Sequence, residues 1–246
     1  MKSFFHAFVM CQSMFCAIPC PSRIWDEKAR DKLLWCLPLV GLEIGLVWWL
    51  VSLLCAYFAF PVLIQGAVLC AAPLLLTGCI HLDGFMDVTD AVRSYRDLDR
   101  RREILKDSHV GSFAVIGCIL LVVFQFAFCA AASNWADAKM LILIPVVSRC
   151  ASAAAVAALP KMSTSQYVQK KAKAADIGIP VAFLLLCLAG VVCIWPTYVW
   201  VIVTELAVYA LALRKAYKSL GGMNGDISGY CLTLAELGAL GAMALL

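Results

Sequence analysis

Charged side chains are scarce in this chain of 246 residues. Asp, Glu, Lys and Arg make up only 15% of it, whereas hydrophobic residues make up 63%. A soluble domain of ordinary composition is about 25% charged and about 45–50% apolar. The composition therefore excludes an ordinary water-soluble domain and predicts an all-α, polytopic integral membrane bundle. The net charge of +4 is too small for this length to indicate nucleic-acid binding.

Paired cysteine motifs are absent as well. The chain has 13 cysteines, but no two of them form a C-x-x-C pair, and most lie inside apolar stretches. Zinc sites and redox-active pairs need such close spacings, whereas a free cysteine in an apolar stretch behaves as a small hydrophobe. The spacing argues against a zinc site and against a structural disulfide.

Apolar stretches long enough to cross a bilayer, which takes about 20 residues, occur seven times. The predicted spans are residues 37–58, 61–81, 111–132, 140–159, 179–195, 197–213 and 229–246. Residues 1–22 contain one lysine and no clean cleavage site, which does not fit a signal peptide. We expect a retained interfacial or re-entrant helix there, ended by Pro19 and Pro21. No internal repeat is seen, so residues 1–246 are treated as one domain.

Lysine and arginine cluster in alternate connections between the predicted spans, at residues 23–32, 93–106, 161–173 and 214–218. Cytoplasmic loops are enriched in these residues. We therefore expect a cytoplasmic N-terminus, an external C-terminus and a location in the cytoplasmic (inner) membrane. The acidic residues of the 83–107 connection are then predicted to face the cytoplasm.

Three aspartates follow the second predicted span in the stretch TGCIHLDGFMDVTDAV, at Asp83, Asp87 and Asp90. Their spacing places them on one face of a helix, within roughly 60° of one another. Carboxylates arranged in this way repel one another unless a cation lies between them. Mg²⁺ takes carboxylate oxygens together with waters and phosphate oxygens, and residues 83–92 hold no lysine or arginine. The stretch predicts a Mg²⁺ site, with Gly84 leaving room for a close ligand.

A basic segment, RSYRDLDRRREILKDSHVGSF, follows the aspartates. Its first part, with three arginines at 100–102, is typical of a cytoplasmic membrane anchor. Its last part crowds the start of a span with Lys106, Asp107, Ser108 and His109. Cations there would neutralise a phosphate, and a histidine exchanges a proton near neutral pH. The sequence therefore leaves two interpretations of this segment open, a membrane anchor and a phosphate-binding segment.

A glycine-rich stretch, LGGMNGDISGYCLTLAEL, leads into the last span. The loop holds Gly222, Asn224, Gly225 and Asp226, and its backbone N–H groups are suited to anionic oxygens. No Gly-Lys-Ser/Thr follows, so it is not a Walker sequence. An ordinary turn capped by Asp226 is the alternative.

Arg149 and Glu236 are charges that fall inside predicted spans. Charged side chains at this depth are costly unless they are paired or face a polar cavity. Glu43 and Glu205 are the candidate partners of Arg149, and the sequence does not choose between them. Together with the aspartates and the glycine-rich loop, these features predict metal-assisted phosphoryl transfer on a phosphate- or pyrophosphate-bearing substrate.

Five stretches, taken in order, resemble the cobalamin synthase family, the adenosylcobinamide-GDP ribazoletransferases. They are AIPCP with PLVGLEIG, TGCIHLDGFMDVTDA, EILKDSHVGSFA, the pair Ser148-Arg149 and LGGMNGDISGYCLTLAEL. Order and spacing agree over nearly the whole chain. The chain departs from the family pattern at four positions: His109 replaces arginine, Ala114 glycine, Asn224 threonine and Thr233 an acid.

The resemblance implies that adenosylcobinamide-GDP and α-ribazole, or its 5′-phosphate, are joined with release of GMP. It implies Mg²⁺ held on the pyrophosphate by Asp83, Asp87 and Asp90. A second metal or the nucleotide would bind Asp226. Lys106 and Arg149 would offset developing negative charge, and Asp90 or His109 would be the base. The substrate-binding residues implied are His81, Gly84, Asp107, Ser108, Gly222, Asn224, Gly225 and Glu236.

Three other functions remain as alternatives at this point. A CDP-alcohol phosphotransferase would need alanine and arginine where the chain has Asp87 and Val88, and a prenyltransferase normally has two acidic motifs. A secondary transporter would place Arg149 and Glu205 in a substrate path. Homo-oligomerisation and association with other corrinoid-assembly enzymes are left open.

Overall fold

The computed structural model describes residues 2–20, 22, 24–131, 138–162 and 172–246. Every regular element in these ranges is helical, which confirms the predicted all-α class. The described α-helices are α1 Lys2–Phe15, α2 Leu33–Tyr57, α3 Val62–Leu76, α4 Ile80–Arg93, α5 Leu98–Ile104, α6 Ser112–Ala131, α7 Met140–Ala158, α8 Ala174–Ile194, α9 Val199–Leu220 and α10 Gly225–Leu245. Short 3-10 turns at Arg30–Lys32 and Pro196–Tyr198 precede α2 and α9.

Six of the described helices are long and apolar enough to cross a membrane, and α3 with α4 forms a seventh, bent candidate. This agrees with the predicted count of about seven. The predicted span 61–81 differs, however, because α3 ends at Leu76 and α4 leaves at an angle of 89° to it. Gly78 and Cys79 adopt positive φ values of 58° and 60° at the break, a turn that the continuous apolar pattern does not reveal.

The N-terminal helix α1 has 14 residues. Such a helix is about 21 Å long, shorter than the hydrocarbon core of a bilayer. It ends at Phe15, before the predicted stop at Pro19, and it packs against the α3–α4 break. The Phe15 ring stacks on His81 with centroids 6.1 Å apart, and the Ala17 N–H donates to the Leu76 carbonyl at 2.7 Å.

Glycines bring α4 close to α10. A Cβ added at Gly84 would lie 2.9 Å from the backbone oxygen of Asp226, and one added at Gly229 would lie 3.1 Å from that of His81. Small residues permit such close approach of membrane helices. The rings of Phe85 and Tyr230 stack beside this contact with centroids 5.7 Å apart. Gly84 therefore allows α4 and α10 to pack closely. The space beside it, which the sequence predicted for a ligand, is occupied by α10.

The short helix α5 holds the C-terminus of α9. Arg101 Nη1 donates to the Ser219 carbonyl at 3.3 Å, while Arg102 Nε and Nη2 donate to the carbonyls of Leu220 at 2.9 Å and Gly221 at 3.2 Å. These carbonyls belong to the negative end of the α9 dipole, where cations are stabilising. Beyond the anchor role predicted for them, these two arginines fix the turn that leads into α10.

All 13 cysteines are unpaired. Most are buried or partly buried, but the side chains of Cys79 and Cys193 are exposed. Cys79 lies in the α3–α4 break, and Cys193 lies at the far end of α8.

Candidate active site

Carboxylates from α4 and α10 gather where these two helices touch. Asp87 is partly buried and has Asp83, Asp226 and Asp90 as negatively charged neighbours. Asp226 begins α10 and interacts electrostatically with Asp83 as well. We call Asp83, Asp87 and Asp226 the carboxylate cluster. The structure thus brings the predicted α4 stripe and the glycine-rich loop into one place, although they are far apart in sequence.

Asn224 organises the start of α10. Its Oδ1 accepts a hydrogen bond from the Ile227 N–H at 2.9 Å, the geometry of an N-cap. Its Nδ2 donates to Asp226 Oδ2 at 2.6 Å and so orients that carboxylate. Gly222 is packed against Met162, whereas the space next to Gly225 is open for at least 4 Å. Within the loop, Gly225 is therefore the glycine with room for a ligand beside it.

Asp90 is engaged in a different way from its neighbours on α4. Its Oδ2 accepts the Gly111 N–H at 2.5 Å, and its Oδ1 accepts the Ala114 N–H at 2.9 Å. Gly111 directly precedes α6 and Ala114 lies in its first turn, where the N–H groups have no partner within the helix. Asp90 therefore caps α6 in the structure, and its predicted parts as metal ligand and base stay predictions.

A cavity of about 710 Å³ lies beside this cap, between the end of α4, α5 and the start of α6. Its volume is within the usual range of small-molecule sites, about 300–1,000 Å³. Three of the predicted site residues line it: Asp90, Asp107 and His109. Arg96 and Arg100 contribute cationic side chains to the wall. Lys106 and Ser108 are exposed next to it in the chain but are not among the lining residues.

His109 and Asp107 form a pair at the mouth of this cavity. His109 Nδ1 lies 2.6 Å from Asp107 Oδ1, and the backbone N–H of His109 donates to the same oxygen at 3.0 Å. These hydrogen bonds lower the pKa of Asp107 below its ordinary value. An Asp107 that stays ionised orients the imidazole, and Nε2 of His109 is then the nitrogen left to face a substrate.

The buried cation Arg149 lies away from the cavity, inside the bundle. Its Nη1 donates to Glu236 Oε1 and, at 3.1 Å, to Ser148 Oγ. Glu236 is therefore its ion-pair partner, whereas the sequence offered Glu43 and Glu205. Glu205 is 1% exposed and lies within electrostatic reach of both members of the pair. Glu43 instead accepts a hydrogen bond from Gln12 at 2.9 Å.

His81 lies near the interior pair, on the helix that carries Asp83 and Asp87. It lies in the first turn of α4, and its backbone oxygen accepts a hydrogen bond from Thr233 Oγ1 at 3.2 Å. Its Nε2 is buried without a hydrogen-bond partner among the described residues. Arg149 lies within electrostatic reach of this ring. The predicted site residues thus fall into three neighbouring groups: the carboxylate cluster, the α5–α6 cavity and the Arg149–Glu236 pair.

The chemistry of the carboxylate cluster suits Mg²⁺. Its donors are hard carboxylate oxygens, and Mg²⁺ is usually held by one or two such groups with waters and substrate phosphates. No three His, Cys, Asp or Glu side chains of the described residues converge as a ready-made metal cage. The cluster therefore fits a cation shared with a phosphorylated substrate better than one enclosed by protein alone.

Fold and site together define a polytopic helical membrane protein with a carboxylate cluster next to a substrate-sized cavity. The chain belongs to the cobalamin-5-phosphate synthase family, whose model matches residues 7–244. It is 35% identical over 242 residues to the adenosylcobinamide-GDP ribazoletransferase of Clostridium perfringens (strain SM101 / Type A), covering 96% of each chain. It is 32% identical over 246 residues to the protein of that name from Clostridium botulinum (strain Alaska E43 / Type E3), again covering 96% of each.

Another relative of the same name, from Desulfitobacterium hafniense (strain Y51), is 33% identical over 238 residues, which are 93% of this chain and 92% of the relative. No solved structure matches the chain. The family membership confirms the resemblance seen in the sequence motifs. It favours the ribazoletransferase prediction over a CDP-alcohol phosphotransferase or a transporter.

Proposed function

We propose that the chain joins adenosylcobinamide-GDP to α-ribazole, or to its 5′-phosphate, and releases GMP. The family, and the activity for which relatives matching 96% of the chain are named, support this reaction. The structural observation that carries the proposal is the carboxylate cluster, in which Asp226 of α10 meets the α4 aspartates beside a cavity of about 710 Å³. The carboxylates would bind a cation that also binds the pyrophosphate of the substrate, and the cavity would hold the rest of the substrate.

In the proposed step, the ribazole 3′-hydroxyl oxygen forms a bond to the phosphorus that is attached to cobinamide. The bond from this phosphorus to the bridging oxygen breaks, and its electron pair leaves with GMP. The hydroxyl proton passes to a base, for which we propose Nε2 of His109, because Asp107 engages the Nδ1 side of the ring. A positioned histidine is a common general base near neutral pH.

Asp83, Asp87 and Asp226 are the proposed holders of Mg²⁺, with Asn224 orienting Asp226. When bound, Mg²⁺ would offset negative charge on the pyrophosphate oxygens. Lys106, exposed next to the cavity, is proposed to offset charge on the same substrate. We assign Asp90 to the cap of α6 and Arg149 to the interior pair, because their polar atoms are engaged there.

We also propose that this site faces the cytoplasm from the inner membrane. The cavity and α5 lie on the side of the bundle that holds the arginines of residues 93–102 and the C-terminal end of α9 with its lysines. Cytoplasmic loops carry such an excess of lysine and arginine. The nucleotide substrate would then reach the site without crossing the bilayer.

The test uses purified protein in lipid nanodiscs with adenosylcobinamide-GDP, α-ribazole and Mg²⁺. We expect GMP and adenosylcobalamin in equal amounts, and loss of both when Mg²⁺ is chelated. Asp87→Asn should abolish the reaction, whereas Asp99→Asn, which removes an exposed carboxylate of α5, should leave it intact. GMP release that does not need ribazole would indicate hydrolysis and contradict the proposed transfer. Full activity of Asp87→Asn would contradict the metal assignment alone.

A further inference from the structure

A second groove opens between α4, α6, α9 and α10, on the other side of α4 from the α5–α6 cavity. It encloses about 190 Å³. The inner wall consists of the stacked pair Phe85 and Tyr230, and the side walls are apolar residues of α6 and α10, among them Leu120, Phe124 and Leu234. An apolar cavity of about 150 Å³ accepts one benzene-sized molecule, so this groove has room for a segment of a hydrocarbon chain.

Two cations stand at one end of this apolar groove. Arg93 is the last residue of α4, and Lys215 lies near the C-terminal end of α9. Both side chains are exposed, and within the described ranges neither makes a hydrogen bond or ion pair. The Tyr230 hydroxyl is within electrostatic reach of Arg93. The groove therefore has an uncompensated positive end and an apolar interior.

The surroundings of the groove face lipid. Only 22% of the apolar window of α6 is buried inside the protein. Ile116, Ile119 and Leu120 present exposed hydrophobic side chains beside the groove. The apolar tail of an amphiphile could therefore pack against α6. Its anionic head could pair with the cations Arg93 and Lys215. Basic pockets between transmembrane helices bind anionic lipid head groups by this combination.

We propose that this groove binds one anionic phospholipid, with its phosphate between Arg93 and Lys215 and an acyl chain along Leu120 and Phe124. The site is separate from the carboxylate cluster and does not rest on the proposed reaction. It has one structural consequence for that cluster. The groove is lined by Phe85 and Thr89, so a bound lipid would contact α4, the helix that carries Asp83 and Asp87.

The experiment titrates purified, delipidated protein with phosphatidylglycerol or phosphatidylcholine and counts bound lipid by native mass spectrometry. We expect one saturable phosphatidylglycerol and weaker binding of phosphatidylcholine. The double variant Arg93→Gln/Lys215→Gln should weaken phosphatidylglycerol binding by about 30-fold, given the usual contribution of two basic residues near anionic lipid. The matched control Arg214→Gln/Lys218→Gln removes two cations of α9 outside the groove and should leave binding unchanged.

Leu120→Trp provides an independent test of lipid binding, because the larger side chain fills the groove without changing any charge. We expect it to reduce phosphatidylglycerol binding in a protein that keeps both cations. Equal loss in the two double variants would overturn the proposal, since it would indicate attraction to net charge only. Displacement of the lipid by excess inorganic phosphate would also overturn it, because the groove would then be a simple anion site.

Discussion

Arg149 of α7 and Glu236 of α10 form an ion pair in the interior of the bundle, 87 residues apart in the chain. Ser148 Oγ donates a further hydrogen bond, of 2.8 Å, to the same Glu236 oxygen. Arg149 is only 1% exposed. The pair therefore fixes α7 against α10, and a further acid, Glu205 of α9, lies buried within electrostatic reach of both members.

Removing the arginine should be more damaging than removing the pair. A buried ion that loses its partner costs about 3–5 kcal/mol, whereas replacing both ions by apolar residues is often nearly neutral. We expect Arg149→Met to lower the melting temperature strongly and Arg149→Met/Glu236→Met to recover part of the loss. The measurement is thermal unfolding of the protein in detergent, with the exposed Arg100→Met as control. An Arg149→Met protein as stable as that control would refute the structural role.

Asp90→Ala should loosen the first turn of α6. Loss of an N-terminal helix cap typically costs about 0.5–2 kcal/mol, so the amides of Gly111 and Ala114 should exchange with deuterium faster. Hydrogen exchange followed by mass spectrometry measures this over the first residues of α6, with Asp99→Ala as the control on α5. Unchanged protection together with weaker Mg²⁺ binding would instead favour the metal-ligand role predicted from the sequence.

Gly84→Ala should separate α4 from α10. Its Cβ would lie 2.9 Å from the backbone oxygen of Asp226, so one helix has to move. A displacement of about 1 Å at a reacting centre can cost about a hundredfold in rate. We expect a loss of that order in GMP release, with Gly190→Ala on α8 unaffected because no atom lies within 4 Å of its Cβ. Similar rates for the two variants would show that the contact does not position Asp226.

Arg102→Gln should release the turn between α9 and α10. The variant loses the bonds to the Leu220 and Gly221 carbonyls and the cation at the end of the α9 dipole. We expect faster hydrogen exchange in the turn. We also expect a higher Mg²⁺ concentration for half-maximal activity, because the turn leads to Asp226 at the start of α10. Arg100→Gln, which removes only an exposed pair with Glu103, is the matched control. An equal response of the two variants would show that Arg102 does not hold the turn between α9 and α10.

Hydropathy alone predicts most of the fold, because a helix in lipid must be long, apolar and internally hydrogen-bonded. It does not show the α3–α4 break, since Gly78 and Cys79 turn the chain without interrupting the apolar run before His81. The break matters for function. It lets α4 lie along α10, where a straight second span would have kept the aspartates away from Asp226.

The residue types of the site are predictable, but their partners are not. The spacing of Asp83 and Asp87 predicts one helix face, because it is local. The cap formed by Asp90 and the Arg149–Glu236 pair depend on helices that meet only in the folded bundle. The sequence signals them only indirectly, as charges at positions where a membrane protein cannot leave a charge unbalanced.

The exposure of Cys79 and Cys193 gives a way to observe the bundle in solution. A maleimide probe should modify these two thiols before the buried ones, and Cys193→Ser would leave Cys79, at the bend, as the exposed thiol of the described residues. A nitroxide or fluorophore attached there would sit four residues before Asp83. Paramagnetic broadening by manganese(II), or a change in emission on adding nucleotide, would then report directly on what the neighbouring acids hold.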